Sequence, residues 1–434
     1  MQNFSLIKLA QRFPSKLDRE LRENLINFYR PFNRIPCIMH KAFEKALKKV
    51  KKYRVIIEFY DDDIYVNKVS TTLSIITKYS SSVIKQHFPL ISCCTAVLTP
   101  TALEALLEND KSIKKIYADR EVRALLNNAT PAIKANIAHS YALKGSGVTI
   151  AVVDTGIYEH EDLKGRIKAF KDFINSKTKP YDDNGHGTHC AGDAAGNGRA
   201  SKGLYTGVAP QADLVGVKVL DKLGSGLLSN VMAGIQWCID NKSKYNIKVI
   251  SLSLGSTATV PAEEDPMVKI VNAAWESGIV VCVAAGNEGP EPQTIASPGI
   301  SPKVITVGAM DDKNTKERTD DEVADFSSRG PTIDGIPKPD ILSPGVNIVS
   351  LRSPNSHLDK LYKNNRVNKY YLSMSGTSMA TPICAGVVAL MLQANPNLTP
   401  DQVKKKLLET AEDWGLSANV QGAGYIQADK ALNM

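Results

Sequence analysis

The sequence predicts a doubly wound α/β domain with a mostly parallel sheet, preceded by a small α+β domain of ferredoxin-like element order. Three observations predict this. From residue 148 onward, short Val- and Ile-rich runs alternate with helical stretches. Those runs end in Gly, Asp or Asn, and residues 52–122 read as strand, helix, strand, strand, helix, strand. Strands that are apolar on both faces and alternate with helices belong to a parallel sheet covered on both sides. The split βαβ order belongs to small two-layer domains. A chain of 434 residues has room for both.

The elements follow in chain order. Residues 1–50 form a basic extension in which Leu17, Leu21 and Leu25, then Phe43 and Leu47, are spaced as packed helix faces. Pro14, Pro31 and Pro36 interrupt them. Residues 51–123 form the small domain. YRVIIEFY is a strand, VSTTLSIITKYS a helix, and SVIKQHF and ISCCTAVLT are strands. PTALEALLEND opens with proline at a helix start, and IKKIYADREV closes as a strand. RALLNNATP reads as a linker. Residues 124–434 form the large domain, whose strands are VTIAVVDTG, ADLVGVKVL, KVISLSLG, GIVVCVAAGN and KVITVGAM. LSNVMAGIQWCIDN and DPMVKIVNAAWESG are helices between them.

The formal charge of +8 sits at one end of the chain. Residues 1–123 carry 22 Lys and Arg against 13 Asp and Glu, whereas the remainder carries 31 against 32. A basic surplus without interleaved aromatics or a recognition motif is not a nucleic-acid footprint, so no nucleic-acid partner is expected. The start of the chain lacks the apolar run and small-residue cleavage site of a secretory signal. No run is read as the roughly 18 apolar residues of a membrane span. The seven cysteines (Cys37, Cys93, Cys94, Cys190, Cys238, Cys282 and Cys384) show no framework spacing, which argues against a disulfide scaffold. The expectation is a cytoplasmic protein without a membrane partner.

Three motifs stand at element ends. AVVDTG places Asp154 after an apolar strand, DDNGHGTHCAG places His186 at a helix start, and SMSGTSMATPICAG places Ser378 at the head of a long apolar helix. A serine hydroxyl is a weak nucleophile that needs a base within hydrogen-bond reach. Histidine titrates near neutrality and serves as that base, while a carboxylate fixes its tautomer and stabilises the imidazolium. A helix N-terminus also aims free N–H groups at a developing oxyanion. VCVAAGNEG adds Asn287, a further amide donor. Taken singly, Asp154 reads as a strand-end cap and Ser378 as an N-cap; the joint occurrence points to nucleophilic catalysis. His186, His189 and Cys190 also form an HxxHC cluster, but three neighbours in sequence do not easily converge on one zinc ion without a fourth ligand. Cys190 reads as a small packing residue, or as a thiol close enough to disturb the base when modified.

These motifs, in the chain order Asp, His, Ser, resemble the subtilisin-like serine proteases, from about Ile133 to the end. The resemblance implies a serine endopeptidase working through an acyl-enzyme, with Asn287 in the oxyanion hole. It implies that Gly224, Ser225 and Gly226 on one side, and Ser251, Leu252, Ser253 and Gly255 on the other, lie in segments pairing an extended peptide. Ala284, Ala285 and Gly286 would line a roomy pocket of broad, apolar-leaning specificity, with Glu288 at its rim. Asp162 matches a family calcium ligand and Asn197 stands in the partner loop, although that loop is long and basic at Arg199 and Lys202, and a hard cation wants six to eight oxygens. Residues 51–123 resemble an inhibitory propeptide that assists folding, covers the cleft and is removed by self-cleavage within roughly 122–128. The implied partners are protein or peptide substrates and the chain's own propeptide. Residues 351–371 insert a polar loop before the nucleophile, either shaping the cleft or lying solvated on the surface. The rival reading of the whole is a catalytically idle scaffold or binding protein.

Overall fold

The computed structural model describes residues 5–29, 32, 40, 43–44, 47–48, 51–60, 64–79, 81–119, 121–124, 132–313 and 320–434. Cys37 and residues 125–128 of the expected junction lie outside them. The chain divides into two compact units, Met1–Arg120 and Glu121–Met434.

The first unit opens with helices α1 (Ser5–Arg12) and α2 (Arg19–Asn27). There follow β1 (Tyr53–Phe59), α3 (Tyr65–Ile76), β2 (Val83–Phe88), β3 (Cys93–Leu98), α4 (Pro100–Asn109) and β4 (Ile113–Ala118). The strands pair antiparallel in the order β2–β3–β1–β4. The helices of residues 1–50 share this unit's core: Leu6, Leu17, Leu21 and Leu25 pack with Val55, Ile57, Leu103, Leu106 and Ile116. Leucines four apart put one face of α2 onto the sheet. Asp18 fixes the helix there, because its carboxylate accepts from Leu21 N at 2.9 Å as an N-cap and from Ala118 N of β4 at 3.1 Å.

The run IKKIYADREV is broken after Ala118, and β5 (Glu121–Ala124) belongs to the second unit. Its further strands are β6 (Thr149–Asp154), β7 (Ile167–Asp172), β8 (Asp213–Lys218), β9 (Ser225–Leu227), β10 (Ile247–Leu252), β11 (Leu254–Thr257) and β12 (Val280–Ala284). They continue with β13 (Ala296–Ser297), β14 (Ile305–Asp311), β15 (Glu322–Val323), β16 (Ile341–Pro344), β17 (Ile348–Leu351) and β18 (Tyr371–Met374). The main sheet runs β15–β14–β12–β10–β6–β8–β7, with β16 also on β14. These pairings are parallel except that of β14 with β15.

Strand β6 is buried at every position, which requires cover on both faces of the sheet. Helix α5 (His186–Ala195) packs on α8 (Thr377–Ala394), and α8 lies against β10, β12 and β14. Helices α6 (Leu228–Asp240) and α7 (Pro266–Glu276) pack on each other. Contrary to the expectation that no run is long and apolar enough, α8 meets the measure of a membrane span by length and composition. It is buried along nearly its whole length and is the domain's central core helix.

Two small sheets complete the unit. One has the order β13–β11–β5–β9, with β5 antiparallel to both neighbours. The other is the hairpin β17–β18. Parallel strands gather their carboxyl ends on one edge of the sheet, where open α/β folds carry their sites. Asp154 ends β6, Ser253 directly follows β10, and Asn287 comes three residues after β12.

Candidate active site

Asp154 and His186 are both buried. His186 heads α5, with Nδ1 2.8 Å from Asp154 Oδ1 and 3.0 Å from Oδ2. A carboxylate can only accept, so Nδ1 carries the proton, and in the neutral ring Nε2 holds the lone pair. Burial works to lower the His186 pKa, but the adjacent Asp154 carboxylate outweighs it and holds the imidazole well above its ordinary range. The HGT glycine permits the close approach. A Cβ on Gly187 would fall 2.2 Å from the Gly156 carbonyl and 3.1 Å from Asp154 Cβ.

Ser378 is the second residue of α8, where a helix leaves its first N–H groups without intrahelical acceptors. Its Oγ donates to the Ser253 carbonyl at 3.3 Å, while Ser253 Oγ donates to the Ser378 carbonyl at 2.7 Å. Asn287 Oδ1 accepts from Thr377 N and Thr377 Oγ1, each at 3.0 Å. Because a backbone N–H can only donate, this contact identifies the amide oxygen and leaves Nδ2 as a donor beside Ser378.

Strand β5 lies in the groove between β9 and β11. Arg123 pairs with Ser225 and Gly255, Val122 with Gly226, and Ala124 with Leu254. Gly226, Ser225 and Gly255 therefore form groove edges, as does Leu254; Gly224 precedes β9 in the left-handed region, at φ +79°. A Cβ on Gly226 would meet the Val219 carbonyl at 2.4 Å. Ser251 and Leu252 lie one strand earlier, inside β10, paired with β6 and β12. They support the edge; they do not form it. A pocket of about 440 Å³ opens beside β11, lined by Gly255, Ser256, Gly286, Glu288, Gln293 and Ala296 among others. Ala284 and Ala285 are buried and contribute no lining atoms to it.

The same contacts bear on two metal sites. His189 Nδ1 faces Asp193 at 3.0 Å and its Nε2 faces the Leu372 carbonyl at 3.2 Å, so His189 turns away from His186 and Cys190, whose ligand atoms lie within 4.8 Å of each other and of Asp154. Cys190 Sγ lies 3.8 Å from His186 Nδ1 and 3.4 Å from the Ser378 carbonyl. Burial pushes its thiol up to about 12, which keeps it protonated and a poor zinc ligand. At the calcium position, Asp162 Oδ2 accepts from Tyr371 Oη at 2.6 Å and Oδ1 from Ala200 N at 2.7 Å. Asn197 Oδ1 accepts from Arg199 N at 3.0 Å. A calcium ion needs six to eight oxygens; here each of these oxygens already accepts from a protein donor, and Asp162 and Asn197 by themselves fall short of such a shell, so as arranged they do not fit one.

Three residues of the site were missed from sequence. Asp182 is buried and takes five donors: Thr155 Oγ1, Asn184 N and Gly185 N on Oδ1, and Thr188 N and Oγ1 on Oδ2. It thereby welds the end of β6 to the first turn of α5. Lys218, buried at the end of β8, donates to Thr155 O at 2.5 Å and Asp183 Oδ1 at 2.8 Å. Thr377 orients Asn287. The acidic pair three and four residues before the histidine and a lysine closing an apolar strand were the available signals.

A buried acid–imidazole pair and a helix-head serine, both within reach of Cys190 Sγ at the carboxyl edge of a parallel sheet, suit a serine hydrolase. Comparison with known proteins narrows the class. The subtilase family profile matches residues 145–425. Serine protease AprX of Bacillus subtilis is 52% identical over 440 residues, covering 100% of this chain and 99% of that protein. Subtilisin E of the same species is 35% identical over 355 residues, 80% of this chain and 82% of its own. The crystal structure of fervidolysin from Fervidobacterium pennivorans superposes with a TM-score of 0.71 at 23% identity, over 88% of this chain. The match spans 61% of the fervidolysin chain and concerns the fold. The chain belongs to the subtilase family and is a subtilisin-like serine endopeptidase.

Proposed function

We propose that Ser378, His186, Asp154 and Asn287 carry out the hydrolysis, and that the chain is a precursor which cuts itself at the bond after Leu125. Ser378 Oγ attacks the peptide carbonyl carbon while His186 Nε2 takes its proton. Asp154 keeps the Nδ1 proton and stabilises the imidazolium. The carbonyl oxygen becomes an oxyanion that receives Asn287 Nδ2 and the Ser378 N–H. Collapse breaks the C–N bond, and His186 returns the proton to the leaving amine. Water then repeats the sequence on the acyl-enzyme, releasing the acid and restoring Ser378.

The observation that carries the self-processing reading is β5. Residues 121–124 pair antiparallel with both β9 and β11, as an extended substrate strand would. Moving forward along β5 moves backward along β11: Arg123 stands opposite Gly255 and Ala124 opposite Leu254. Ser253, whose carbonyl holds the Ser378 hydroxyl, directly precedes the Leu254 that pairs with Ala124, which supports a cut just beyond Ala124. On this reading residues 1–125 are the propeptide, with β5 in its inhibitory tail. The pocket beside β11 takes the side chain before the scissile bond and favours large apolar residues, with broad tolerance because backbone pairing supplies the affinity. The described cysteines are free and buried, which supports a reducing, cytoplasmic location.

Mass spectrometry of purified wild type beside Ser378→Ala, with fluorophosphonate labelling of both, tests this. The expected result is a mature chain beginning at Leu126 and carrying the label in wild type alone. A wild type that neither labels nor cleaves would be an idle scaffold. Labelling together with a different new N-terminus would overturn the assigned bond and leave the catalytic assignment standing. A peptide-library profile dominated by charged residues before the cut would sink the specificity reading.

A further inference from the structure

The loop inserted between β17 and β18 exposes residues 363–369 to solvent but turns its first half inward. It folds around one buried carboxylate, Asp359. Burial opposes that charge, but Arg352, the Asn355 N–H and Arg366 hold the carboxyl below its ordinary range. Arg352 Nη2 meets Oδ2 at 2.9 Å, Arg366 Nε meets Oδ1 at 2.7 Å, and Asn355 N donates to Oδ2 at 2.8 Å. Arg352 Nε also donates to Oδ1. Ser356 caps the short helix that carries Asp359.

What the loop touches is the segment directly before the histidine. Ser353 Oγ donates to the Asp182 carbonyl at 2.7 Å, His357 N to the Asp183 carbonyl at 2.9 Å, and Leu358 N to the Asn184 carbonyl at 2.9 Å. Asp182 and Asn184 pass that hold onward. Asp182 binds Gly185 N and Thr188, and Asn184 Oδ1 accepts from His186 N at 3.1 Å. Gly185 is pressed so closely that a Cβ there would sit 2.6 Å from Ser356 Oγ. The other end of the loop is β18, which runs through Ser375 and Gly376 into the helix of Ser378. One element thus grips the base from its N-terminal side and leads directly into the nucleophile.

We infer that Asp359 is a positioning residue, and that the insertion sets the placement of His186 relative to Ser378. The inference rests on the catalytic roles proposed above. A loop held at three consecutive carbonyls by a charge-locked turn resists displacement of the histidine, and misplacement by about 1 Å costs on the order of 10²-fold in rate. Asp359→Asn keeps the volume and removes the charge that both arginines converge on.

The test compares wild type and Asp359→Asn as purified full chains, counting competent sites by fluorophosphonate labelling and measuring kcat, KM and the acid limb of kcat/KM. The expected result is a fall in kcat per labelled site of roughly 10–100-fold with little change in KM. The acid limb should move to lower pH, because a looser Asp154 contact raises the His186 pKa less. Labelled sites with wild-type kcat and an unmoved acid limb would overturn the proposal, whatever the change in melting temperature. Should Asp359→Asn fail to fold, Ser353→Ala removes the single bond to the Asp182 carbonyl. It is expected to shift kcat and the limb in the same sense by roughly 3–10-fold, and unchanged values would be equally fatal. Wild type that takes no label would overturn the catalytic assignment itself.

Discussion

At the scale of single residues, the Asp154–His186 contact is expected to set the working pH. Hydrolysis needs a neutral imidazole, and the neighbouring carboxylate holds the His186 pKa well above 6.5. Activity is therefore expected to rise with pH through an acid limb displaced to the alkaline side. Asp154→Asn removes the cause: the limb should fall toward the ordinary histidine range while turnover drops about 10⁴-fold, a magnitude carried over from subtilisin itself. Initial rates across pH 5–10 on both proteins measure each effect. Cys190 offers a second expectation. Its sulfur lies 3.8 Å from His186 Nδ1 and 3.4 Å from the Ser378 carbonyl, so a mercurial bonded there displaces both. The thiol is buried and protonated, and inactivation should be slow. Cys190→Ala should retain activity after the same treatment; loss at the wild-type rate would place the sensitive group elsewhere.

At the scale of elements, two local constructions decide how the site is held. The first is the contact of β18 with the turn after β6. Tyr371 is buried and gives its hydroxyl to Asp162 at 2.6 Å, occupying a carboxylate oxygen that a cation would otherwise need. Tyr371→Phe leaves Asp162 short of one partner, and a lost bond to a charged buried group costs about 1.5–3 kcal/mol. Denaturant unfolding on a Ser378→Ala background should show that loss. A chelator should leave the midpoint unchanged if Asp162 and Asn197 hold no calcium there. A large drop in the midpoint on adding chelator, restored by calcium, would refute the hydrogen-bond account. The second construction is the edge strand β9. A side chain on Gly226 would collide with the Val219 carbonyl, moving the strand away from the groove. Gly226→Val should raise KM for extended peptides, which pair with the edge, and alter hydrolysis of single-residue esters much less.

At the scale of the whole molecule, the same histidine couples folding to pH. Its folded pKa lies above the unfolded value of about 6.5, so its contribution to stability is complete below that value and is lost as pH rises through the folded pKa. Unfolding free energies of Ser378→Ala should accordingly decline on the alkaline side. The decline should be smaller in the Asp154→Asn, Ser378→Ala double variant, and identical slopes would show that other groups dominate. Two compact units in one chain also predict that unfolding of the unprocessed Ser378→Ala protein need not be a single transition.

The boundary between what was legible and what was not follows contact distance along the chain. Asp154, His186, Ser378 and Asn287 announce themselves because each sits in a short motif whose glycines and small residues serve local geometry, and the alternation of apolar runs with helices fixes a parallel sheet by pattern alone. The residues that hold those four in place were hidden. Tyr371 meets Asp162 across 209 positions, Ser353 meets the Asp182 carbonyl across 171, and Asn287 meets Thr377 across 90. Hydrogen bonds of this span have no periodicity and no spacing, so a polar insertion reads as surface until the fold turns it inward. By itself the sequence determined the protease class and the parallel sheet. Tertiary structure alone decided that residues 121–124 pair between β9 and β11, that Tyr371 bonds Asp162, and that the inserted loop bonds the carbonyls of residues 182–184, because each depends on which distant groups the packed chain brings together.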